Sequence, residues 1–274
     1  MDLGLRDAHV VVVGASRGLG RGIARAFARE GARLALIARS RKGLEKTAAQ
    51  CRELGAPEVL LAEADMSSRE AVDAAFAEIG KSWSTINVLI NNAANSIGTH
   101  GPSEKFADET MYADAYNVIT LGYVRTTRAA LPFMKAADWA RIVNVSTASS
   151  GGSSPVLHIY NMSKTAVVSL SKAQAREFAP YGISVNIFSP AGIMVEGGNW
   201  GEVMNGYFEK HGLDPTNPYD AVELSVRQFG GTKPWMDRYG LIAEYADAIT
   251  FLGSRTNSYM TGHDMVVHGG GNGD

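Results

Sequence analysis

Val10-Val11-Val12-Val13-Gly14-Ala15-Ser16-Arg17-Gly18-Leu19-Gly20 is the stretch that decides the fold. Its four consecutive β-branched residues predict a strand that is covered on both faces. Three glycines with the spacing G-x-x-x-G-x-G follow that strand and open a helical pattern at 19–29. A turn of this kind lets a pyrophosphate approach backbone N–H groups at a helix N-terminus. The alternative is a strand-to-helix turn that uses glycine for geometry alone.

Outward from this turn, short apolar runs alternate with longer helical patterns. The runs that predict strands lie at 10–13, 33–38, 59–62, 86–90, 141–145, 183–188 and 264–267. The helical patterns lie at 19–29, 42–54, 67–79, 108–135, 158–178 and 243–252. This alternation predicts an α/β fold, namely a Rossmann-type, doubly wound parallel sheet of about seven strands with helices on both faces. We expect a single domain over residues 1–274, with an insertion at about 192–240 that contains only short helical patterns.

Composition and charge narrow the class of protein. The 274 residues include a single cysteine, Cys51, which excludes an intrachain disulfide. A net charge of −2 argues against binding to nucleic acid or to a membrane surface, and no apolar run approaches the ~18 residues of a spanning helix. The first residues lack the pattern of a signal peptide, so we expect a soluble cytoplasmic protein. The six histidines lack the spacing of a zinc site, so no metal is expected.

The end of the second predicted strand bears on the choice between nicotinamide cofactors. In this fold an acidic residue there suits the ribose 2′-hydroxyl of NAD, whereas an arginine suits the 2′-phosphate of NADP. Arg39 follows the strand with no carboxylate beside it, and Arg17 in the glycine turn could reach the same phosphate. The sequence therefore favours NADP(H) over NAD(H). The alternative is that Arg39 and Arg41 are merely solvated residues entering a helix.

A tyrosine and a lysine lie four residues apart in the segment Tyr160-Asn161-Met162-Ser163-Lys164. Residues i and i+4 share one face of a helix, so the ammonium of Lys164 can stand beside the phenol of Tyr160. The positive charge is expected to lower the pKa of Tyr160 from about 10 toward neutral pH. A phenol tuned in this way can donate a proton to a carbonyl oxygen while a hydride arrives at the carbon. Taken alone, such a pair is more often two surface neighbours.

Further motifs follow one another in a fixed order along the chain. Asp65 follows the third predicted strand, Asn91-Asn92-Ala93 follows the fourth, and Asn117 lies in the long helical pattern. The segment 141–147 (RIVNVST) then precedes Tyr160 and Lys164. With the glycine turn, this ordered set resembles the short-chain dehydrogenase/reductase family over nearly the whole chain. The length is similar to that of the family's single-domain branch.

The resemblance implies a role for each motif. Tyr160 is implied to be the general acid in reduction and the base in oxidation, while Lys164 lowers its pKa and binds the nicotinamide ribose. Asn117 is implied to hold a water that links Lys164 to solvent. Asp65 and Met66 are expected at the adenine. The residues expected to bind the cofactor are Gly14, Ser16, Arg17, Gly18, Leu19, Gly20, Arg39, Asp65, Met66, Asn91, Ala93, Tyr160, Lys164, Pro190, Gly192 and Ile193.

The hydroxyl that orients the substrate carbonyl departs from the family pattern. The resemblance implies a serine 12 or 13 residues before the tyrosine, and counting back 13 residues from Tyr160 reaches Thr147. Threonine offers the same hydroxyl donor on a side chain that is stiffer at χ1. We therefore assign this role to Thr147, with Ser146 and then Ser149 as the alternatives.

The insertion carries seven aromatic residues, Trp200, Tyr207, Phe208, Tyr219, Phe229, Trp235 and Tyr239. In the family this region folds over the substrate, which suggests a bulky apolar or aromatic carbonyl compound. The alternative is that the rings only pack the insertion onto the body of the protein or onto a neighbouring subunit. In the family the corresponding helices, here 108–135 and 158–178, usually form a two-fold contact between subunits, so the resemblance implies a homotetramer or homodimer.

The sequence therefore predicts an NADP-dependent reductase that interconverts a ketone or aldehyde and an alcohol. Two alternatives stay open. One is a 3-oxoacyl-type reductase on the same scaffold, and the other is a relative that binds a nucleotide without catalysis.

Overall fold

A computed structural model of the chain describes residues 1–94, 109–150, 157–195, 202–229, 231 and 233–270. Within these residues, seven strands form one parallel sheet in the order β3-β2-β1-β4-β5-β6-β7. The strands are β1 (His9–Val13), β2 (Arg33–Ala38), β3 (Val59–Glu63), β4 (Val88–Asn91), β5 (Ala140–Val145), β6 (Ile183–Pro190) and β7 (Asp264–Val267). The predicted Rossmann-type sheet of about seven strands is confirmed.

Helices cover both faces of this sheet. They are α1 (Gly18–Arg29), α2 (Arg41–Glu53), α3 (Arg69–Ile79), α4 (Glu109–Val118), α5 (Thr120–Lys135), α6 (His158–Phe178), α7 (Glu202–His211), α8 (Pro218–Phe229) and α9 (Ile242–Leu252). A short 3₁₀ helix, Ala179–Tyr181, follows α6. None of the helices in the described ranges is long and apolar enough to cross a membrane.

The valine run of β1 shows why the sheet needs two layers of helices. Val10 and Val12 face a core built with α1, α2 and α9, whereas Val11 and Val13 face a second core built with α3, α5 and α6. All four side chains are buried. Successive side chains of a strand point to opposite faces, so a continuous apolar run requires a partner layer on each side.

The long helix predicted at 108–135 is two helices in the structure. α4 ends at Val118 and α5 begins at Thr120, and Ile119 between them is completely buried against Tyr123 and Val167. Side chains of α5 make the bonds that fix this junction: the Thr120 hydroxyl donates to the carbonyl of Ser163 in α6. Backbone hydrogen bonds cross the junction, from Ile119 N to Ala115 O at 2.9 Å and from Tyr123 N to Ile119 O at 3.1 Å, and the helical periodicity of the sequence does not mark it.

The segment 190–240 is more helical than its glycine and proline content predicts. Its two helices, α7 and α8, have 10 and 12 residues. They share a small core of their own, made of Met194, Phe208, Ala221 and Leu224. The predicted insertion therefore contains a helix pair with an apolar centre.

Parallel pairing brings the motifs to one edge of the sheet. Val13 is in register with Asn91, Asn91 with Asn144, and Val145 with Phe188. The chain leaves β1, β4, β5 and β6 just beyond these residues. In open α/β sheets this carboxyl edge is where ligands bind.

Candidate active site

The glycine turn after β1 is shaped by positive φ angles at Gly14 (+84°) and Gly18 and by close backbone approaches at Gly14 and Gly20. Gly18 has φ +55°, and a Cβ added there would have no neighbour within 4 Å. A Cβ on Gly20 would lie 2.1 Å from the carbonyl oxygen of Gly14. The turn therefore excludes a side chain at Gly20 and leaves the first turn of α1 open to a ligand.

A cavity of about 740 Å³ opens over this turn. Nine of the residues predicted to bind the cofactor line it, namely Gly14, Ser16, Arg17, Gly18, Leu19, Arg39, Asp65, Met66 and Ala93. Seven further residues that the sequence did not predict also line it, namely Ala38, Ser40, Gly43, Ala64, Asn92, Ala94 and Val118. The cavity lies over a glycine that tolerates no Cβ and beside the exposed backbone at the N-terminus of α1. These features fit the pyrophosphate and adenosine of a dinucleotide.

Arg39 and Asp65 form an ion pair at the rim of this cavity. Their Nη1 and Oδ2 atoms are 3.7 Å apart; the Arg39 side chain is exposed and that of Asp65 is half-buried. Partial burial raises the pKa of Asp65, but hydrogen bonds from Ser67 and the charge of Arg39 outweigh it, so the pKa lies below its ordinary value. Arg17 is exposed at the N-cap position of α1. The cavity therefore has two arginines on the side where β2 ends.

Tyr160 and Lys164 lie side by side on α6, as their spacing predicts. The Lys164 Nζ atom is 5.6 Å from the centre of the Tyr160 ring. Lys164 is only 1% exposed, and its ammonium donates to the carbonyl of Val145 at 2.6 Å and to the hydroxyl of Tyr123 at 3.0 Å. The lysine is therefore fixed between α6, α5 and the end of β5.

Burial controls the ionisation of both groups. It lowers the pKa of Lys164 to about 7 and raises the pKa of Tyr160 to about 12. Desolvation is the cause of both shifts, since it disfavours the charged form of each group. That the Lys164 charge favours the phenolate of Tyr160 during the reaction stays a prediction. At neutral pH the Tyr160 phenol consequently retains its proton and can donate it.

The carboxamide of Asn117 is bonded to Arg125. Its oxygen accepts a hydrogen bond from Arg125 Nη2 at 2.7 Å, and its backbone carbonyl accepts one from Arg125 Nη1 at 2.8 Å. Arg125 also donates to the carbonyl of Met66 at 2.8 Å, below the nucleotide cavity. Asn117 thus joins the end of α4 to α5, and the side chain of α5 that reaches Lys164 is Tyr123.

Of the candidate hydroxyls after β5, Thr147 and Ser149 line a second cavity, whereas Ser146 does not. Ser146 is 1% exposed and donates to the backbone carbonyl of Lys164 at 3.1 Å. The Thr147 and Ser149 hydroxyl oxygens are 3.0 Å apart, and Ser149 donates to the carboxamide oxygen of Asn161 at 2.9 Å. The geometry therefore favours Thr147 over Ser146 as the hydroxyl that meets a ligand.

The second cavity measures about 430 Å³ and lies between the end of β6 and the insertion. One wall is closed by a bridge in which Gly240 N donates to Gly192 O at 3.0 Å and Met194 N donates to Gly240 O at 2.9 Å. Neither bond uses the N–H or C=O group of Ile193. Pro190 ends β6, and its carbonyl accepts from Ala148 N at 2.9 Å. Of Pro190, Gly192 and Ile193, which are predicted to bind the cofactor, Gly192 lines this cavity.

Comparison with known proteins matches this arrangement. Residues 8–199 match the family model described as short chain dehydrogenase. The chain belongs to the short-chain dehydrogenase family. It is therefore an oxidoreductase of a family that acts on alcohols and carbonyl compounds with a nicotinamide cofactor.

Individual members of the short-chain dehydrogenase family resemble the chain over its whole length. Levodione reductase of Leifsonia aquatica is 30% identical over 267 residues, which cover 96% of this chain and 94% of the relative. The structure of L-sorbose reductase from Gluconobacter frateurii with NADPH and L-sorbose has a TM-score of 0.86 at 27% identity, covering 98% of both chains. A xylitol dehydrogenase bound to NAD+ has a TM-score of 0.81 at 26% identity, covering 97% of this chain and 99% of that one.

Asn91, one of the residues predicted to bind the cofactor, does not line the nucleotide cavity. It is fully buried, donates to Asn144 at 2.8 Å and accepts from the Thr126 hydroxyl at 2.6 Å. These bonds join β4 to β5 and α5. The neighbouring residue, Asn92, lines the cavity and donates to Gly14 O at 3.4 Å. The Asn-Asn-Ala motif contains both residues, and strand alternation decides which one faces the ligand.

The aromatic residues of the insertion divide between several environments. Tyr239 lines the second cavity, and its ring lies against Gly192, where an added Cβ would be 2.3 Å away. Phe208 is buried in the core of the helix pair, and Tyr207 packs against it. Tyr219 and Trp235 are exposed. Trp200 lies outside the described residues, and so does the side chain of Phe229.

Metal ligands are absent from the described part of the chain. Within it, no three His, Cys, Asp or Glu side chains come close enough to hold an ion.

Proposed function

We propose that this protein is an NADP(H)-dependent reductase that converts a ketone or aldehyde to an alcohol. The observation that carries the proposal is the placement of Tyr160, Lys164 and Thr147 at the sheet edge that also carries the glycine turn. A cavity for the nucleotide and a cavity for a smaller molecule open at that same edge.

The proton chemistry belongs to the chain's own side chains. Tyr160, whose pKa is raised to about 12, donates its proton to the carbonyl oxygen, and the Thr147 hydroxyl orients that oxygen. NADPH, when bound, supplies the hydride to the carbonyl carbon. Lys164 compensates the negative charge that develops on the Tyr160 oxygen as the proton leaves.

Arg39 and Arg17 support NADP(H) as the preferred cofactor. Both line the nucleotide cavity, and Asp65, the carboxylate beside Arg39, is already paired with it. A guanidinium can form charge-assisted, bidentate hydrogen bonds with a 2′-phosphate. The solved relatives include one with NADPH and one with NAD+, so the residues of this chain have to decide the preference.

The charge of Arg39 can be tested directly. We expect Arg39→Asp to reduce the preference for NADPH over NADH by about ten- to a hundredfold, since hydrogen bonds to charged groups contribute roughly 1.5–3 kcal/mol. Arg41→Asp is the matched control, because Arg41 is an exposed neighbour that pairs with Glu45 and does not line the cavity. An unchanged preference in Arg39→Asp would remove Arg39 from the phosphate site.

The lining of the second cavity supports a substrate with a bulky apolar or aromatic part. Leu157, Pro234, Met236 and Val267 form apolar walls, and the rings of Tyr239 and Tyr245 add aromatic surface. The positive charge of Arg238 in the same lining is compensated by two bonds to Glu244 at 2.8 and 2.6 Å. We therefore expect a neutral carbonyl compound.

Turnover with purified protein tests the proposed reaction. The panel contains acetophenone, phenanthrenequinone, diacetyl, L-sorbose and an acetoacetyl thioester, each with NADPH and with NADH, followed by nicotinamide absorbance. We expect reduction of at least one carbonyl and a loss of about a thousandfold in kcat/KM for Tyr160→Phe. Tyr181→Phe is the control, since Tyr181 is exposed and stacks with Lys135 far from the site. Near-normal turnover by Tyr160→Phe would refute the mechanism, and thioester-only turnover would favour the 3-oxoacyl alternative.

We also propose that the chain assembles as a homotetramer or homodimer through α4, α5 and α6. Exposed apolar side chains on these helices support it, namely Tyr116, Leu121, Val124 and Met162. We expect Val124→Glu to reduce the mass measured by light scattering, while Val226→Glu, an equally exposed valine on α8, leaves it unchanged. A wild-type protein of monomeric mass would overturn this assignment.

A further inference from the structure

The hydroxyl of Tyr123, a residue that the sequence does not mark as part of the site, accepts a hydrogen bond from Lys164. Tyr123 lies on α5, one turn after the break at Ile119, and is 1% exposed. Its hydroxyl donates to the carbonyl of Val145 at 3.0 Å, and the Lys164 ammonium donates to the same carbonyl at 2.6 Å. The hydroxyl oxygen, 3.0 Å from Nζ, is then free to accept the second ammonium proton.

Three groups thus form a closed triangle beside the phenol of Tyr160. The carbonyl of Val145 accepts from two donors, while the Tyr123 hydroxyl is a donor on one side and an acceptor on the other. Because the hydroxyl proton of Tyr123 points to the carbonyl of Val145, a lone pair of the hydroxyl oxygen points to Lys164. This geometry favours the charged form of the lysine, which has only donors to offer.

The surroundings of Lys164 make this acceptor important. Its ionisable neighbours are Tyr160 on the same helix and Tyr123 on α5, with ring centres 5.6 and 5.1 Å from Nζ, and the facing group of β5 is the carbonyl of Val145. Burial accounts for the lowered pKa of Lys164, and no described carboxylate acts on it. A buried ammonium without a counter-ion depends on neutral acceptors for its stability.

We propose that Tyr123 is a positioning residue for the reaction: its hydroxyl holds Lys164 beside Tyr160 and stabilises the ammonium form of the lysine. This inference rests on the proposed function, because it assigns to Tyr123 the support of the lysine that serves Tyr160. Tyr123 acts through Lys164 and does not itself line either cavity.

Tyr123→Phe removes the hydroxyl and keeps the ring. The ring packs between Ile119 and Val167, and these contacts do not involve the oxygen atom. Tyr181→Phe is a matched control, because it is also a tyrosine next to a lysine, with Lys135 Nζ 3.6 Å from its ring centre, but on the protein surface. Melting temperature and NADPH binding report whether each variant folds.

A titration of Lys164 by NMR tests the inference without any substrate. In protein with isotope-labelled lysine, the Lys164 signal is assigned by its loss in Lys164→Met. We expect Tyr123→Phe to lower the pKa of Lys164 by about one unit, as the loss of a hydrogen bond to a charged group predicts. A pKa equal to that of wild type and Tyr181→Phe would overturn the inference. If Tyr123→Phe does not fold, the wild type is examined for nuclear Overhauser contacts between Lys164 and the Tyr123 ring. The absence of these contacts overturns the inference that Tyr123 positions Lys164.

The pH profile of alcohol oxidation separates this inference from the proposed function. The alcohol used is the product of the carbonyl that the panel identifies. We expect the acidic limb of kcat/KM in Tyr123→Phe to move to higher pH by about one unit, with about tenfold lower kcat/KM at pH 7, because Tyr160 loses part of the positive charge that favours its phenolate. A profile identical to that of Tyr181→Phe, while Tyr160→Phe is inactive, overturns the role of Tyr123 alone. Full activity of Tyr160→Phe overturns the proposed function instead.

Discussion

Lys164→Met should make the stability of this protein less dependent on pH. The folded protein binds the Lys164 proton with a pKa of about 7, whereas the unfolded chain binds it with the ordinary value of 10.5. Between these values the unfolded state binds more protons, so the wild type becomes more stable as the pH rises. From pH 7 to pH 9 the Lys164 contribution to the free energy of unfolding should increase by about 2 kcal/mol, given about 1.4 kcal/mol per unit of pKa difference.

The measurement is urea denaturation of wild type and Lys164→Met at pH 7 and at pH 9. Methionine removes the titrating group and keeps an unbranched side chain of similar length at this buried position. The lost bonds to Tyr123 and Val145 add an offset that is common to both pH values. Lys172→Met is the control for a lysine on the same helix whose side chain is exposed. If wild type and Lys164→Met change equally between pH 7 and pH 9, Lys164 is not desolvated as the structure indicates.

Two further predictions concern the shape of the site. Thr147→Ala should lower kcat/KM for carbonyl reduction by about a hundredfold. Ser146→Ala should mainly lower the melting temperature, because Ser146 donates to a backbone carbonyl and lies outside the second cavity. The opposite pattern would assign the orienting hydroxyl to Ser146. Gly20→Ala should abolish NADPH binding in a fluorescence titration, since its Cβ would lie 2.1 Å from a backbone oxygen. Gly206→Ala is the control: an added Cβ there has open space, so this substitution should raise the free energy of unfolding by about 0.5–1 kcal/mol. Tight NADPH binding by Gly20→Ala would refute the close approach at Gly20.

The fold could be predicted from sequence because its signals are local. The Val10–Val13 run, the glycine turn and the alternation of apolar runs with helical patterns each act over a few residues. Parallel pairing then brings the end of every strand to one edge without further information. Most of the nucleotide cavity followed from the same motifs, since the residues after β1, β2 and β3 lie at that edge.

The parts that could not be predicted depend on contacts between distant elements. Tyr123 reaches Lys164 because α5 packs against α6, and a single tyrosine inside a helix gives no sign of this. The role of Asn117 stays a prediction, and the bond that its carboxamide oxygen accepts from Arg125, two turns later, gives no signal in the sequence. Burial likewise raises the pKa of Tyr160, and burial is a property of the whole fold.

The bridge between Gly192 and Gly240 has a consequence for how this scaffold can change. Backbone hydrogen bonds at this bridge join the two ends of the insertion, so the insertion is a loop that is closed at its base. Within it, α7 and α8 have an apolar core of their own. The entropic cost of closing a loop grows slowly with its length, so a longer or shorter insertion would change the free energy of unfolding only slightly once its ends are joined. Substrate preference could therefore be exchanged by grafting this segment between relatives, while the strand edge that carries Tyr160 and the glycine turn keeps its geometry.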